Sequence, residues 1–139
     1  YMKTNSGEYY TVYHNPQQQI RDILQRIQSH IHTQIEPGTY SVFLTSDCDL
    51  VYSIARDIFG DCVLYNTTEC QHIDRKVSGD FSKFYIDNYI LSQRTTSMYI
   101  SAYSNYGRIA GLSAQHSNIY DLECNPVVLH RLVSKHEIL

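Results

Sequence analysis

Apolar residues recur along this chain at two different periods, and the changes of period predict its elements. Asn15-Pro16 reads as a helix cap followed by proline at the first helical position, where a missing N–H costs nothing. Ile20, Ile23, Leu24, Ile27 and Ile31 follow at offsets of 3, 4, 7 and 11. They form one face of an amphipathic helix, with Gln, Arg and Asp on the other side, and Pro37-Gly38 ends it. Residues 40–45 (YSVFLT) are a short β-branched and aromatic run, predicted as a buried strand that leads into a helix start at Ser46-Asp47-Cys48-Asp49. Leu50, Val51, Ile54, Ala55 and Ile58 give a second helical face, closed by Gly60. Residues 62–65 are a second buried strand, and 66–79 are polar and aperiodic, hence a loop. Helical spacing returns from Asp80 through Phe81, Phe84 and Tyr85 to Leu91. A third strand is predicted at 97–102, a helix at 104–115 and a fourth strand at 118–122, before a tail in which Asn125-Pro126 is a candidate helix start. Ahead of the first helix, the polar residues 1–8 are followed by a β-prone run, Tyr9 to Tyr13.

Strand and helix alternate with short connections, so the expected fold is α/β: a Rossmann-like parallel sheet with helices on both faces. It forms one domain, with 1–15 as lead-in, 16–122 as core and 123–139 as tail. Such sheets bind ligands at the carboxyl ends of their strands. Small polar residues collect at those positions: Thr45, Ser46, Asp47 and Asp49 after the first strand, and Ser101, Ser104 and Asn105 after the third. Each has two readings. Ser101 or Ser104 either caps a helix or helps its N-terminus hold a phosphate. Asp47 and Asp49 either cap the second helix or accept from ribose hydroxyls and base N–H groups.

Composition narrows the classes. The chain has 139 residues, 42% of them hydrophobic, which suits one domain able to bury its own core. With 11 basic and 14 acidic residues it lacks the electrostatic footprint of a general nucleic-acid binder. No apolar run approaches the roughly 20 residues of a membrane span. Cys48, Cys62, Cys70 and Cys124 are expected to be free thiols, since a domain of this size needs no disulfide scaffold. Cys62, Cys70 and His72 fit none of the paired zinc spacings, so no metal is expected. Asn66-Thr67-Thr68 is a glycosylation triplet, which by itself does not choose between a Golgi or ER lumen and the cytoplasm. The opening Tyr1-Met2-Lys3 suggests a piece of a longer protein.

Read together, three segments carry a further signal. Phe43-Leu44-Thr45-Ser46-Asp47, then Asp87 with Leu91-Ser92, then Ser104-Asn105-Tyr106-Gly107-Arg108-Ile109-Ala110 stand in a fixed order. In order and spacing they resemble the C-terminal, donor-binding lobe of the GT-B fold fucosyltransferases, the group that includes the α1,2-, α1,6- and protein O-fucosyltransferases. The resemblance covers roughly residues 10 to 122. It implies a GDP-sugar donor rather than a bound cofactor, and a glycan or protein hydroxyl as acceptor. It also implies an N-terminal lobe as partner. Thr45 and Asp47 would approach ribose or guanine, Asp87 would take paired hydrogen bonds from guanine, Ser104 and Asn105 would hold the diphosphate, and Arg108 would either touch ligand or lie in a surface ion pair. The family's H-x-R-R-x-D motif, source of the arginine that stabilises the leaving phosphate, is missing here. The chain alone is therefore expected to bind and not to turn over.

Two other classes compete. A non-catalytic interaction domain on the same fold is suggested by the missing arginine and the 13 tyrosines. A two-histidine phosphodiesterase is suggested by His32-Thr33 and His116-Ser117, although such enzymes place the hydroxyl two residues after the histidine on a strand. Asp47 and Asp49 also invite a phospho-receiver reading, for which no lysine partner is evident. His30, His72, His130 and His136 are expected at the surface.

Overall fold

The computed structural model describes residues 15–67, 81–101, 104–124, 127–132 and 134–138. The expected strand over Tyr9 to Tyr13 and most of the loop before Phe81, with Cys70 and His72, lie outside them. Helix α1 (Pro16–His32) starts as its sequence dictates: the Asn15 side chain accepts from the Gln18 N–H at 3.1 Å and Pro16 fills the first turn. Leu24, Ile27 and Ile31 are its buried residues. Strand β1 (Val42–Phe43) pairs in parallel with β2 (Val63–Leu64), and helix α2 (Asp49–Phe59) joins them. Gly60 closes α2 at φ 63°, a conformation that costs glycine nothing. A 3-10 turn over Gly60–Cys62 then feeds β2.

Helix α3 (Ser82–Gln93) leads to β3 (Met98–Ser101), helix α4 (Asn105–Ser113) follows, and β4 (Ile119–Cys124) pairs in parallel with β3. The tail departs from expectation. No helix starts the tail: residues Val127–Leu132 form β5, antiparallel to β4 in a register running from Cys124↔Val127 to Ile119↔Leu132. Asn125 and Pro126 themselves lie outside the described residues. The Val-Val-Leu run is apolar and rich in β-branched residues, and pairing with β4 satisfies its backbone while Val127 and Leu129 pack against the core that α1 shares. The protein is thus mixed α/β, and among the described residues it has two parallel pairs and one antiparallel strand in place of one wholly parallel sheet. Among the described residues, β1 pairs only with β2, and β3-β4-β5 form a separate sheet.

Alternation along β3 and β4 builds a core on each face of this second sheet. Met98, Ile100 and Ile119 point to one side, onto Ala110 and Ala114 of the α4 region and onto Ile138 of the closing 3-10 turn Lys135–Ile138. Tyr99 and Leu122 point to the other, where α1, α2 and Val63 supply the rest of the core. His30 and Gln34 complete that contact: His30 Nδ1 meets the Tyr99 hydroxyl at 2.8 Å, and Gln34 Nε2 donates to the Tyr120 hydroxyl at 3.1 Å. His30 is therefore half-buried against the sheet, not the surface residue expected. On the opposite face, a Cβ on Gly107 would fall 2.5 Å from Ile100 Cγ2, and one on Gly111 2.9 Å from Ile100 Cδ1. Only glycine lets α4 lie this close to β3.

Candidate functional site

The carboxyl ends of β1 and β2 and the first turns of α3 and α4 converge on one buried carboxylate. Asp87 is 1% exposed, the most deeply buried charged side chain described. Its Oδ2 accepts from the Thr45 hydroxyl at 2.8 Å and from Lys83 Nζ at 2.9 Å. Lys83 is itself only 12% exposed, and it also donates to the Asn66 carbonyl at 2.9 Å, just beyond β2. One ammonium group therefore ties α3 to the loop after β2, while its carboxylate partner ties α3 to the loop after β1. Burial alone would lower the Lys83 ammonium; the hydrogen bond to Asp87, with the charges of Tyr52 and Asp87, outweighs this and holds its pKa above the usual value.

Tyrosines wall the cluster. Tyr52 of α2 is buried, and its hydroxyl donates to the Ser46 carbonyl at 2.8 Å and accepts from the Ser46 N–H at 2.8 Å. That clasp fixes the turn after β1. Lys83 Nζ stands 5.8 Å from the Tyr52 ring centre, within cation–π range. Tyr106, in the first turn of α4, donates to the Phe84 carbonyl at 3.0 Å, which brings the third segment against the helix that carries Asp87. Burial first, and then the Asp87 charge, push its phenol above the ordinary tyrosine value. Two polar atoms here stay unsatisfied among the described residues: Asp87 Oδ1, an acceptor, and Asn88 Nδ2, a donor.

An open groove of about 430 Å³ adjoins the cluster, lined by Asp49, Tyr52, Ser53, Arg56, Asp57 and Tyr65. The Arg56 guanidinium lies 5.5 Å from the Tyr65 ring centre on one edge of this groove, and Asp57 is paired with Arg21 at 3.2 Å.

The residues singled out in the sequence fall into four groups. Thr45 and Asp87 are bonded to each other. Ser104 is the N-cap of α4, its hydroxyl accepting from the Gly107 N–H at 3.0 Å, and Asn105 is the exposed first residue of that helix. Asp47 is exposed, Asp49 lies in the first turn of α2, and neither caps that helix: its N-cap is Cys48, with no side-chain cap bond. Arg108 is held away from the cluster, with Nη1 donating to the Ile138 carbonyl at 2.6 Å and Nη2 3.9 Å from Asp121. Sequence reasoning missed Lys83, Tyr52, Asn88 and Tyr106. The first had a visible signal, a Lys and an Asp four residues apart on a predicted helix.

The two histidines of the phosphodiesterase reading sit on different elements. His32 ends α1 and meets the Tyr40 hydroxyl at 2.7 Å, whereas His116 follows α4 and meets Thr95 Oγ1 at 3.1 Å. Neither lies on a strand. Among the described residues, no group of three or more His, Cys, Asp or Glu side chains could hold a metal ion, and no helix is long and apolar enough to cross a membrane. Cys48 and Cys62 are free thiols. The chain matches no protein-family model, no curated protein and no solved structure.

Proposed function

We propose that this chain is the donor-binding lobe of a glycosyltransferase of the fucosyltransferase type, holding a GDP-sugar at the carboxyl ends of its strands. The observation that carries the reading is the meeting of three segments distant in sequence, at Thr45, Asp87 and Tyr106, around a buried carboxylate with one unused oxygen. These are the three segments on which the family resemblance rests. A native fold that leaves a charged acceptor buried and unsatisfied loses stability by it, and such sites cluster where a ligand supplies the missing partner.

In this reading Asp87 Oδ1 accepts from the base and Thr45 holds the carboxylate in place. The diphosphate lies at the N-terminus of α4, where the backbone N–H groups of its first turn and the helix dipole favour negative charge. The Ser104 hydroxyl already accepts from Gly107, so its contribution is to fix that turn. Arg108 is not part of the proposed site. Transfer of the sugar to an acceptor hydroxyl needs positive charge at the leaving phosphate, and the arginine motif that supplies it in the resembled family is not among these residues. Because Asp87 is 1% exposed, ligand reaches Oδ1 only when its cover parts, so association is slower than diffusion allows.

Calorimetric titration with GDP is the test. Binding is expected, and Asp87→Asn, checked for retained folding by its thermal melt, should weaken it about tenfold or more through the loss of a charged acceptor. No heat at millimolar GDP, or an Asp87→Asn titration superimposable on the wild type, refutes the reading.

A further inference from the structure

The face of α2 that lines the open groove is a single stripe. Asp49, Tyr52, Ser53 and Arg56 stand at positions i, i+3, i+4 and i+7 of that helix, and Tyr65, the residue after β2, shares the groove with them. The ends of the stripe carry opposite charges, two turns or about 10 Å apart along the axis. Among the described residues, the Asp49 carboxylate, the Ser53 hydroxyl and the Arg56 guanidinium make no hydrogen bond, whereas Asp57 is taken by Arg21 at 3.2 Å. The remaining lining is aromatic. The rings of Tyr52 and Tyr65 lie 4.7 Å apart, tilted by 33°, and the Arg56 guanidinium stands 5.5 Å from the Tyr65 ring centre. Tyr52 is buried and held by its two bonds to Ser46, so this aromatic pair is fixed before any ligand arrives.

We propose that the α2 groove binds a neutral oligosaccharide, with the C–H face of a sugar ring on Tyr65 and its hydroxyls bonded to Asp49, Ser53 and Arg56. The lining sorts ligands by charge. An anion meets the carboxylates of Asp49 and Asp57, and a cation meets Arg56. A hydroxyl serves both ends, because it donates to a carboxylate and accepts from a guanidinium. The apolar side of a sugar ring suits an aromatic surface that carries no charge of its own. At about 430 Å³ the groove has the size of a small-molecule cleft, and being open it takes one stretch of a longer chain rather than an enclosed monosaccharide. No part of the GDP-sugar is assigned to this groove, which shares only Tyr52 with the buried cluster, so the two sites stand or fall separately.

The experiment follows backbone amide shifts of the unmodified chain by NMR during titration with four neutral sugars: maltotriose, mannotriose, N-acetyllactosamine and triacetylchitotriose. Two charged trimers, deacetylated chitotriose and trigalacturonic acid, are titrated beside them. At least one neutral sugar is expected to shift the amides of α2 and Tyr65 with a Kd of about 1–10 mM, the weak affinity of an open groove with few contacts. The charged trimers should bind about fivefold or more weakly than that sugar. Arg56→Ala and Asp49→Ala, both at exposed positions and checked by thermal melts, should each weaken it about fivefold or more by loss of a charged partner. Saturating GDP should leave the sugar's Kd within about twofold. No shift from any neutral sugar at about 20 mM, or shifts confined to other elements, overturns the proposal. So does a charged trimer that binds as tightly, an affinity that neither variant changes, or displacement of the sugar by GDP. If GDP itself does not bind, the nucleotide reading fails and the sugar titrations still decide this one. They need no variant, so they decide even if a substitution disturbs the fold.

Discussion

Helices α1 and α3 are built on opposite principles. The inner face of α1 is Leu24, Ile27 and Ile31, with polar residues outside; α3 buries Asp87 and Ser92 and turns Tyr85, Ile86 and Tyr89 outward at 66%, 48% and 54% exposure. Hydrophobic burial accounts for the first arrangement and opposes the second. A helix that hides a carboxylate and shows its tyrosines is held by more than core formation, and in α3 the Lys83–Asp87–Thr45 network adds to the packing of Phe84 and Leu91. The contrast marks α1 as scaffold and α3 as the helix that carries the buried polar cluster.

The sharpest way to break the comparison is to remove the ammonium. Lys83→Met leaves the Asp87 carboxylate buried without its cation and should cost about 3–5 kcal/mol in denaturant unfolding. Adding Asp87→Leu to that variant should recover most of the loss, because an apolar pair of similar size replaces a buried ion pair at little cost. A double variant no more stable than the single one would mean that α3 depends on the pair for its fold. Next in size, Leu24→Ala in α1 should cost about 3 kcal/mol by loss of transfer energy and a residual cavity, with nucleotide affinity unchanged. A smaller effect separates the two helices by pH. Burial, and then Arg26, lower the pKa of His30 on α1 below its ordinary 6.5, and burial and Lys135 do the same for His116. The unfolded chain therefore binds more protons. The stability from these groups is complete above pH 6.5 and is lost as pH falls through their lower folded values. Both rings are partly exposed, so melts between pH 7 and 5 should show a loss below about 1 kcal/mol for each, and His30→Gln should remove its share. Smallest of all, Tyr85→Ser and Tyr89→Ser should each change stability by less than about 0.5 kcal/mol, because their rings contribute little to the core.

The same contrast explains what the sequence could disclose. The stripe of α1, its Asn15-Pro16 start and the Gly60 stop follow from periodicity and capping, and the structure has them. So does the Ser104 cap of α4. Residues 40–45 look like a full strand, yet among the described residues the ladder is Val42–Phe43 with one further bond from the Leu44 N–H to the Leu64 carbonyl, because ladder length depends on a partner distant in the chain. The β5 hairpin was hidden for the same reason: a proline followed by an apolar run fits a helix start or an edge strand, and only β4 decides. The surroundings of Asp87 were not legible. Lys83, Asn66 and Tyr52 come together only when α2, β2 and α3 are in place. Nor could the sequence show that the Arg108 guanidinium reaches the Ile138 carbonyl in the C-terminal turn, thirty residues away.

One contact couples two positions that no local rule connects. Gly107 and Gly111, one turn apart on α4, both rest on the single side chain of Ile100. A methyl group at 107 has room only if the isoleucine beneath it is trimmed, so Gly107→Ala should be tolerated together with Ile100→Ala and not alone. The two positions form one packing unit with Ile100, and the height of α4 above its strand is set by what that unit allows. A variant that changed one without the other would lift the helix, and the first turn at Ser104 with it, away from the end of β3.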